Sequence, residues 1–183
     1  MIGRLVLNMN EKRIGKHALK AMTNMKFQFS DLDYIMNHYK SIILLDNLTD
    51  QRNIGSIIRT AAICEFAVLL REKSSINEFT LKCASGGTEY TDICNVRNIQ
   101  ETLNRLKQNG FWVIGLSEKG SREVPVGFDK KVLVIGSEGD GISTLVKNNC
   151  DLLWRLNGSS NFDVYNASNA AAIGMYMMFN EYL

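Results

Sequence analysis

The stretch Val132-Leu-Val-Ile-Gly-Ser-Glu-Gly-Asp-Gly-Ile-Ser143 places an apolar run directly before a loop with glycines at 136, 139 and 141. Residues 131–135 read as a buried strand, because the run is short, rich in β-branched residues and ended by glycine. Gly136, Gly139 and Gly141 let the backbone approach a flat ligand and turn N–H groups toward it. A plain tight turn is the other reading of the same glycines. The spacing GxxGxG differs from the dinucleotide fingerprint GxGxxG, and no Gly-Lys-Ser/Thr follows to cradle a triphosphate. A nucleoside-binding loop without a triphosphate grip is what remains.

On either side of this loop, apolar runs alternate with helical patterns. Strands are expected at 41–46, 66–70, 92–96, 111–116, 131–135 and 152–156, and helices at 53–64, 99–108, 142–148 and 166–182. Strands that are apolar throughout and separated by helices indicate an α/β fold, a parallel sheet with helices on both faces. Such sheets bind ligands at the carboxyl ends of their strands, which points to the loops after Asp46, Leu116, Ile135 and Leu156.

At 183 residues and 45% hydrophobic content the chain suits one compact unit. Cys64, Cys83, Cys94 and Cys150 show no CxxC spacing and no partnering His cluster, so neither a metal nor a disulfide framework is signalled, and buried, reduced thiols are expected. No run approaches a membrane span, and the first residues lack the apolar core of a signal peptide, which suggests a cytoplasmic protein. Of the net charge of +2, residues 1–40 hold seven Lys/Arg against three acids, a local +4 that leaves −2 for residues 41–183. This basic extension is read either as a phosphate-contacting arm or as a solvated helix face. His17 and His38 are assigned nothing.

Two further segments carry chemistry. Between Leu45 and Ala62 a strand passes through a polar loop into a small, apolar helix that contains Arg59. A guanidinium there requires a partner or a cleft. An ion pair with Asp46 or Asp50 is one reading, a phosphate- or ribose-facing arginine the other. Between Leu156 and Ile173 a strand end leads through a polar loop to Asn166, a natural N-cap, and to the bulk-free run Ala170-Ala-Ala-Ile-Gly174. Such a run suits a dimer interface as well as a tight core.

Taken in order, these segments resemble the three motifs of the SpoU (TrmH-like) family of RNA methyltransferases, in the SPOUT superfamily. Asn53, Gly55, Arg59 and Thr60-Ala61 fall on the first motif, Gly136 to Ser143 on the second, and Asn166-Ala-Ser168 with Ala170-Ala-Ala-Ile173 on the third. Cys83-Ala-Ser-Gly-Gly-Thr88 resembles the family's Ser-Ala-Gly loop. Three departures stand out: Gln51 replaces a proline, Leu156-Asn157-Gly158 replaces Ile-Pro-Met, and Val164-Tyr165-Asn166 replaces Ser-Leu-Asn. That serine is implicated in catalysis in the family, so Ser159, Ser160 or Ser168 is the expected substitute.

The resemblance implies a C-terminal deep trefoil knot, a homodimer packed on the first and last helices, and S-adenosylmethionine as cofactor. It implies methylation of a ribose 2'-hydroxyl of tRNA or rRNA. Cofactor contacts are then expected at Leu116, Ser117, Gly136, Gly141, Leu156, Tyr165 and Asn166. Catalytic roles fall to Arg59, Asn53, Glu138, Asn166 and Ser168. A guanidinium with a pKa above roughly 12 is a poor base, so Arg59 is expected to hold phosphate and stabilise an oxyanion. Glu138 is expected to organise the loop and Asn53. A non-catalytic dimer that binds cofactor and RNA is the competing reading, and a nicotinamide-dependent oxidoreductase is disfavoured by the missing fingerprint.

Overall fold

The computed structural model describes residues 29–71, 73–159, 161 and 164–179; the basic segment 1–28, Ser160 and the expected helix end at 180–182 lie outside them. In chain order the elements are α1 (Leu32–His38), β1 (Ser41–Leu45), α2 (Gln51–Ile63), β2 (Phe66–Arg71), α3 (Glu78–Ala84), a 3-10 turn (Gly87–Glu89), β3 (Ile93–Val96) and α4 (Ile99–Gln108). They continue with β4 (Trp112–Ser121), β5 (Lys131–Ile135), α5 (Thr144–Asn148), β6 (Leu152–Trp154) and α6 (Ala167–Phe179).

The strands form one sheet in the order β3-β2-β1-β5-β4-β6, and every pairing is parallel. Successive side chains point to opposite faces. Ile43, Leu45, Val68, Leu70, Leu133 and Ile135 pack with α2 and α6 on one face. Ile42, Leu44, Ala67, Leu69, Val132 and Val134 pack with α1, α4 and α5 on the other. Burial on both faces is the physical reason these strands are unbroken apolar runs. No helix among the described residues is long and apolar enough to cross a membrane.

Several elements differ from the sequence expectation. The first motif's helix starts at Gln51 rather than Asn53, because the Asp50 carboxylate caps it, accepting from the N–H groups of Arg52 at 2.7 Å and Asn53 at 3.4 Å. Helices α1 and α3 have no counterpart among the expected elements. A capping box between Asn77 and Thr80 starts α3, which buries only Thr80 and Ala84. Strand β6 stops at Trp154 instead of 156.

Strand β4 is longer than expected because the chain comes back onto β6 after Leu116. Ser121 pairs with Trp154, and the Arg155 N–H donates to the Ser121 carbonyl at 2.7 Å. Gly120 lies so close to β6 that a Cβ there would sit 2.6 Å from the Leu153 backbone.

Strands β1 and β5 are neighbours at the sheet centre, but the chain leaves β1 toward β2 and β5 toward β6. Their carboxyl ends therefore mark the topological switch point, beside which ligands usually bind in such sheets. The Asp46 N–H donates to the Ile135 carbonyl at 2.8 Å and keeps the two loops side by side.

Two outcomes follow from this packing. Leu133 is fully buried, with Cδ2 lying 2.9 Å from where a Cβ on Gly174 would be; Leu133→Ala is expected to lower the unfolding free energy in urea by about 2–5 kcal/mol. The Asp50 carboxyl is held at about 2 against an ordinary 3.8, chiefly by its hydrogen bonds from the Arg52 side chain and backbone. A lowered folded-state pKa means that the cap's contribution is complete above about pH 4 and disappears as pH falls through about 2. Acid titration of the melting temperature should show this slope in the wild type, and Asp50→Asn, still a competent cap, should flatten it.

Candidate functional site

Strand β5 delivers the chain to Gly136, where a Cβ would overlap the Gly141 carbonyl carbon, so only glycine fits. Ser137 and Gly141 then exchange two backbone hydrogen bonds of 3.0 and 3.1 Å. Gly141 has φ +65°, a conformation that glycine adopts without strain. The loop is a tight turn, and the same backbone forms a wall of a cleft of about 420 Å³.

The cleft lies over the carboxyl ends of β4, β5 and β6. Leu116, Ile142, Trp154, Leu156, Ala167 and Ala170 supply apolar lining, and Glu118, Lys119, Lys147 and Arg155 supply charged groups. A ligand with a flat apolar part and a charged tail matches this division. Tyr165 and Val164 complete the side formed by the chain before α6. The Tyr165 hydroxyl donates to the Asn157 carbonyl at 2.6 Å and so ties that segment to the end of β6.

Two groups of hydrogen bonds, one at Asn53 and one around Asp46, fix the glycine loop from outside the cleft. Asn53, buried in the first turn of α2, donates from Nδ2 to Glu138 Oε1 at 2.9 Å. Asp46, 1% exposed, accepts from Arg71 Nη1 at 2.5 Å and from the Ser143 N–H at 2.6 Å. Arg71 Nη1 also donates to Ser143 Oγ at 2.8 Å.

The structure brings together Leu116, Ser117, Gly136, Gly141, Leu156 and Tyr165 around the cleft, with Glu138 on the same wall. Asn166 and Ser168 are not among the lining residues. Instead Asn166 Oδ1 accepts from the Ser168 N–H at 2.9 Å and from its hydroxyl at 2.7 Å, opening α6. Val164 does line the cleft and is 64% exposed.

Of the two readings of Arg59, the ion pair with Asp46 or Asp50 is not formed. Asp46 is taken by Arg71 and Asp50 by Arg52, while Arg59 projects from the exposed side of α2 and makes no ion pair among the described residues. Buried Asp46 sits nearer the end of β2, so the arginine that follows an apolar strand wins over the one inside a helix. Arg71 carries a signal that was legible: a charge at the carboxyl end of a buried strand belongs to the ligand-binding edge. None of the four cysteines forms a disulfide, and burial pushes the Cys150 thiol up to about 11, so it supplies no thiolate near neutral pH.

Residues 40–176 match the model of the SpoU rRNA Methylase family. A protein of Staphylococcus saprophyticus assigned to the TrmH family of tRNA/rRNA methyltransferases is 30% identical over 167 residues, which cover 85% of this chain and 67% of that protein. An uncharacterised tRNA/rRNA methyltransferase of Borreliella burgdorferi is 31% identical over 168 residues, 86% of this chain and 74% of that one. Among solved structures, the SpoU methyltransferase AviRb from Streptomyces viridochromogenes superposes with a TM-score of 0.77 at 22% identity, over 84% of this chain. This chain spans 64% of AviRb's length. A second AviRb structure, a complex with AdoMet, gives a TM-score of 0.75. At these identities the superpositions bear on the fold.

Because Gly136 has no room for a Cβ, Gly136→Ala is expected to force the turn open. Thermal melting should show a stability loss of about 1–3 kcal/mol or more, in contrast to Gly139→Ala, where a Cβ meets no atom within 4 Å.

Proposed function

This chain belongs to the SpoU rRNA methylase family, and from that premise we propose that it is an S-adenosylmethionine-dependent RNA methyltransferase that modifies a ribose 2'-hydroxyl of tRNA or rRNA. The observation that carries this reading is the cleft itself. Six of the residues expected at the cofactor line one concave surface at the carboxyl ends of β4, β5 and β6. Its apolar floor and charged rim suit a nucleoside with an amino-acid tail. Leu116, Gly136, Leu156 and Tyr165 would hold the cofactor, largely through backbone groups.

When bound, S-adenosylmethionine supplies an electrophilic methyl group. The protein's share is to fix the ribose hydroxyl in line with it, to exclude water, and to stabilise charge as it develops on oxygen. Among the described residues no buried base lines the cleft, and the hydroxyl proton is assigned to an adjacent RNA phosphate or to water. Arg59 holds phosphate and stabilises the oxyanion. Glu138 and Asn53 keep the loop in register, and Asn166 with Ser168 sets the start of α6.

Arg59 lies away from the cleft of its own chain, and this supports a homodimer. It shares the exposed side of α2 with Ile63, which is 68% exposed, and α2 packs against α6, where Tyr176 is 60% exposed. Pairing two copies on α2 and α6 would cover these apolar side chains and carry Arg59 toward the partner's cleft. The return of the chain over β6 at Gly120 and Ser121 supports the knotted topology of the family. Residues 1–40, with their +4 charge, are proposed to meet the RNA backbone beside the unit 41–183 in the cytoplasm.

Val164 favours one second reading, a dimer that binds cofactor and RNA without transferring a methyl group, because an apolar side chain stands where the family carries a hydroxyl. Incubation with methyl-labelled S-adenosylmethionine and bulk tRNA or rRNA separates the two. The enzyme yields a 2'-O-methylnucleoside after nuclease digestion and mass spectrometry, whereas the binding module labels nothing. Arg59→Ala is expected to lower the transfer rate by about 100-fold or more with cofactor affinity unchanged. Retention of full activity would exclude both roles given to Arg59.

A further inference from the structure

Resting on the reading of the cleft as a cofactor site, we propose that Arg71 is a positioning residue for that site: braced on Asp46, its guanidinium holds Ser143 and so fixes the downstream leg of the glycine loop. Asp46 touches both legs of the loop. Its backbone N–H donates to the carbonyl of Ile135, just before Gly136, at 2.8 Å. Its Oδ2 accepts from the N–H of Ser143, just beyond Gly141, at 2.6 Å. Arg71 Nη1 closes the figure by donating to Asp46 Oδ1 at 2.5 Å and Ser143 Oγ at 2.8 Å.

The ends of β1 and β2 thereby set the separation of the two legs of a turn that forms one wall of the cleft. Arg71 does not line the cleft, so its effect on a ligand passes through Ser143 and the loop backbone.

The geometry argues against simple stabilisation as its role. The Arg71 side chain is 16% exposed, and its Nε lies buried with no acceptor among the described residues. An unmet donor in a buried guanidinium carries a penalty, and buried ion pairs often add no stability over apolar packing. What this pair contributes is a defined position. A planar guanidinium reaches both acceptors from one nitrogen in a fixed plane, which a flexible ammonium does less well.

Calorimetric titration of the full chain with S-adenosylhomocysteine, alongside ligand-free melting, tests this. Ser143→Ala deletes the hydroxyl contact and leaves the Arg71–Asp46 pair and the Ser143 N–H bond in place. It is expected to weaken binding by roughly tenfold, with the ligand-free melting temperature within about 2 °C of wild type. Arg71→Met combined with Asp46→Asn, which leaves no unpaired charge, is expected to weaken binding at least as much. Arg71→Lys should recover part of the loss. Wild-type affinity in Ser143→Ala overturns the proposal, as does a loss that merely tracks the melting temperature. Absence of binding by the wild type is a different result, and overturns the cofactor reading on which the proposal rests.

Discussion

A carboxylate buried at the centre of a parallel sheet must be solvated by the protein, and the way Asp46 meets that requirement organises everything above it. An unpaired charge there would be prohibitively costly. Arg71 and the Ser143 N–H neutralise it, and both partners come from segments that have to converge for the purpose. The end of β2, the end of β1 and the start of α5 are therefore fixed relative to one another before any ligand arrives. The glycine turn hangs between these anchors, and the Asn53–Glu138 bond adds a lighter brace at its exposed tip.

The cleft that results divides its work between backbone and side chain. Strand ends and the glycine turn supply shape, the chain before α6 supplies one wall, and charges are confined mainly to the rim. Groups expected to act on RNA lie elsewhere. Arg59 is on the outer side of α2, so the binding and the chemistry proposed for this chain fall on different surfaces, which a second copy would bring together. Gln51 stands where the resemblance implies a proline. Proline suits the first position of a helix because no N–H is needed there. Gln51 occupies that position here and instead accepts a hydrogen bond from the Thr80 hydroxyl, joining the starts of α2 and α3.

Local chemistry was readable from the sequence, and pairing at a distance was not. The strands were legible because two-sided burial leaves unbroken apolar runs. The glycine loop was legible because GxxGxG before a helix has few uses. Helix α3 was missed because its seven residues bury only Thr80 and Ala84, leaving no apolar stripe to see. The extension of β4 was missed because Ser121 finds its partner, Trp154, far along the chain. Charge pairing failed for the same reason. Arg59, Arg71, Asp46 and Asp50 admit several pairings on paper, and only the sheet register selects among them. The expected cofactor residues fell together except Asn166, whose side chain is occupied in starting α6.

The turn at Gly136 also says something about how such a site survives change. Its surface is largely peptide backbone, held by strand ends and by a glycine that nothing can replace. Side chains around it, Leu156 and Val164 among them, line the cleft without setting the course of the turn. A chain only 22% identical keeps the same architecture, yet at Gly136 one added methyl group would collide with the backbone of the turn itself.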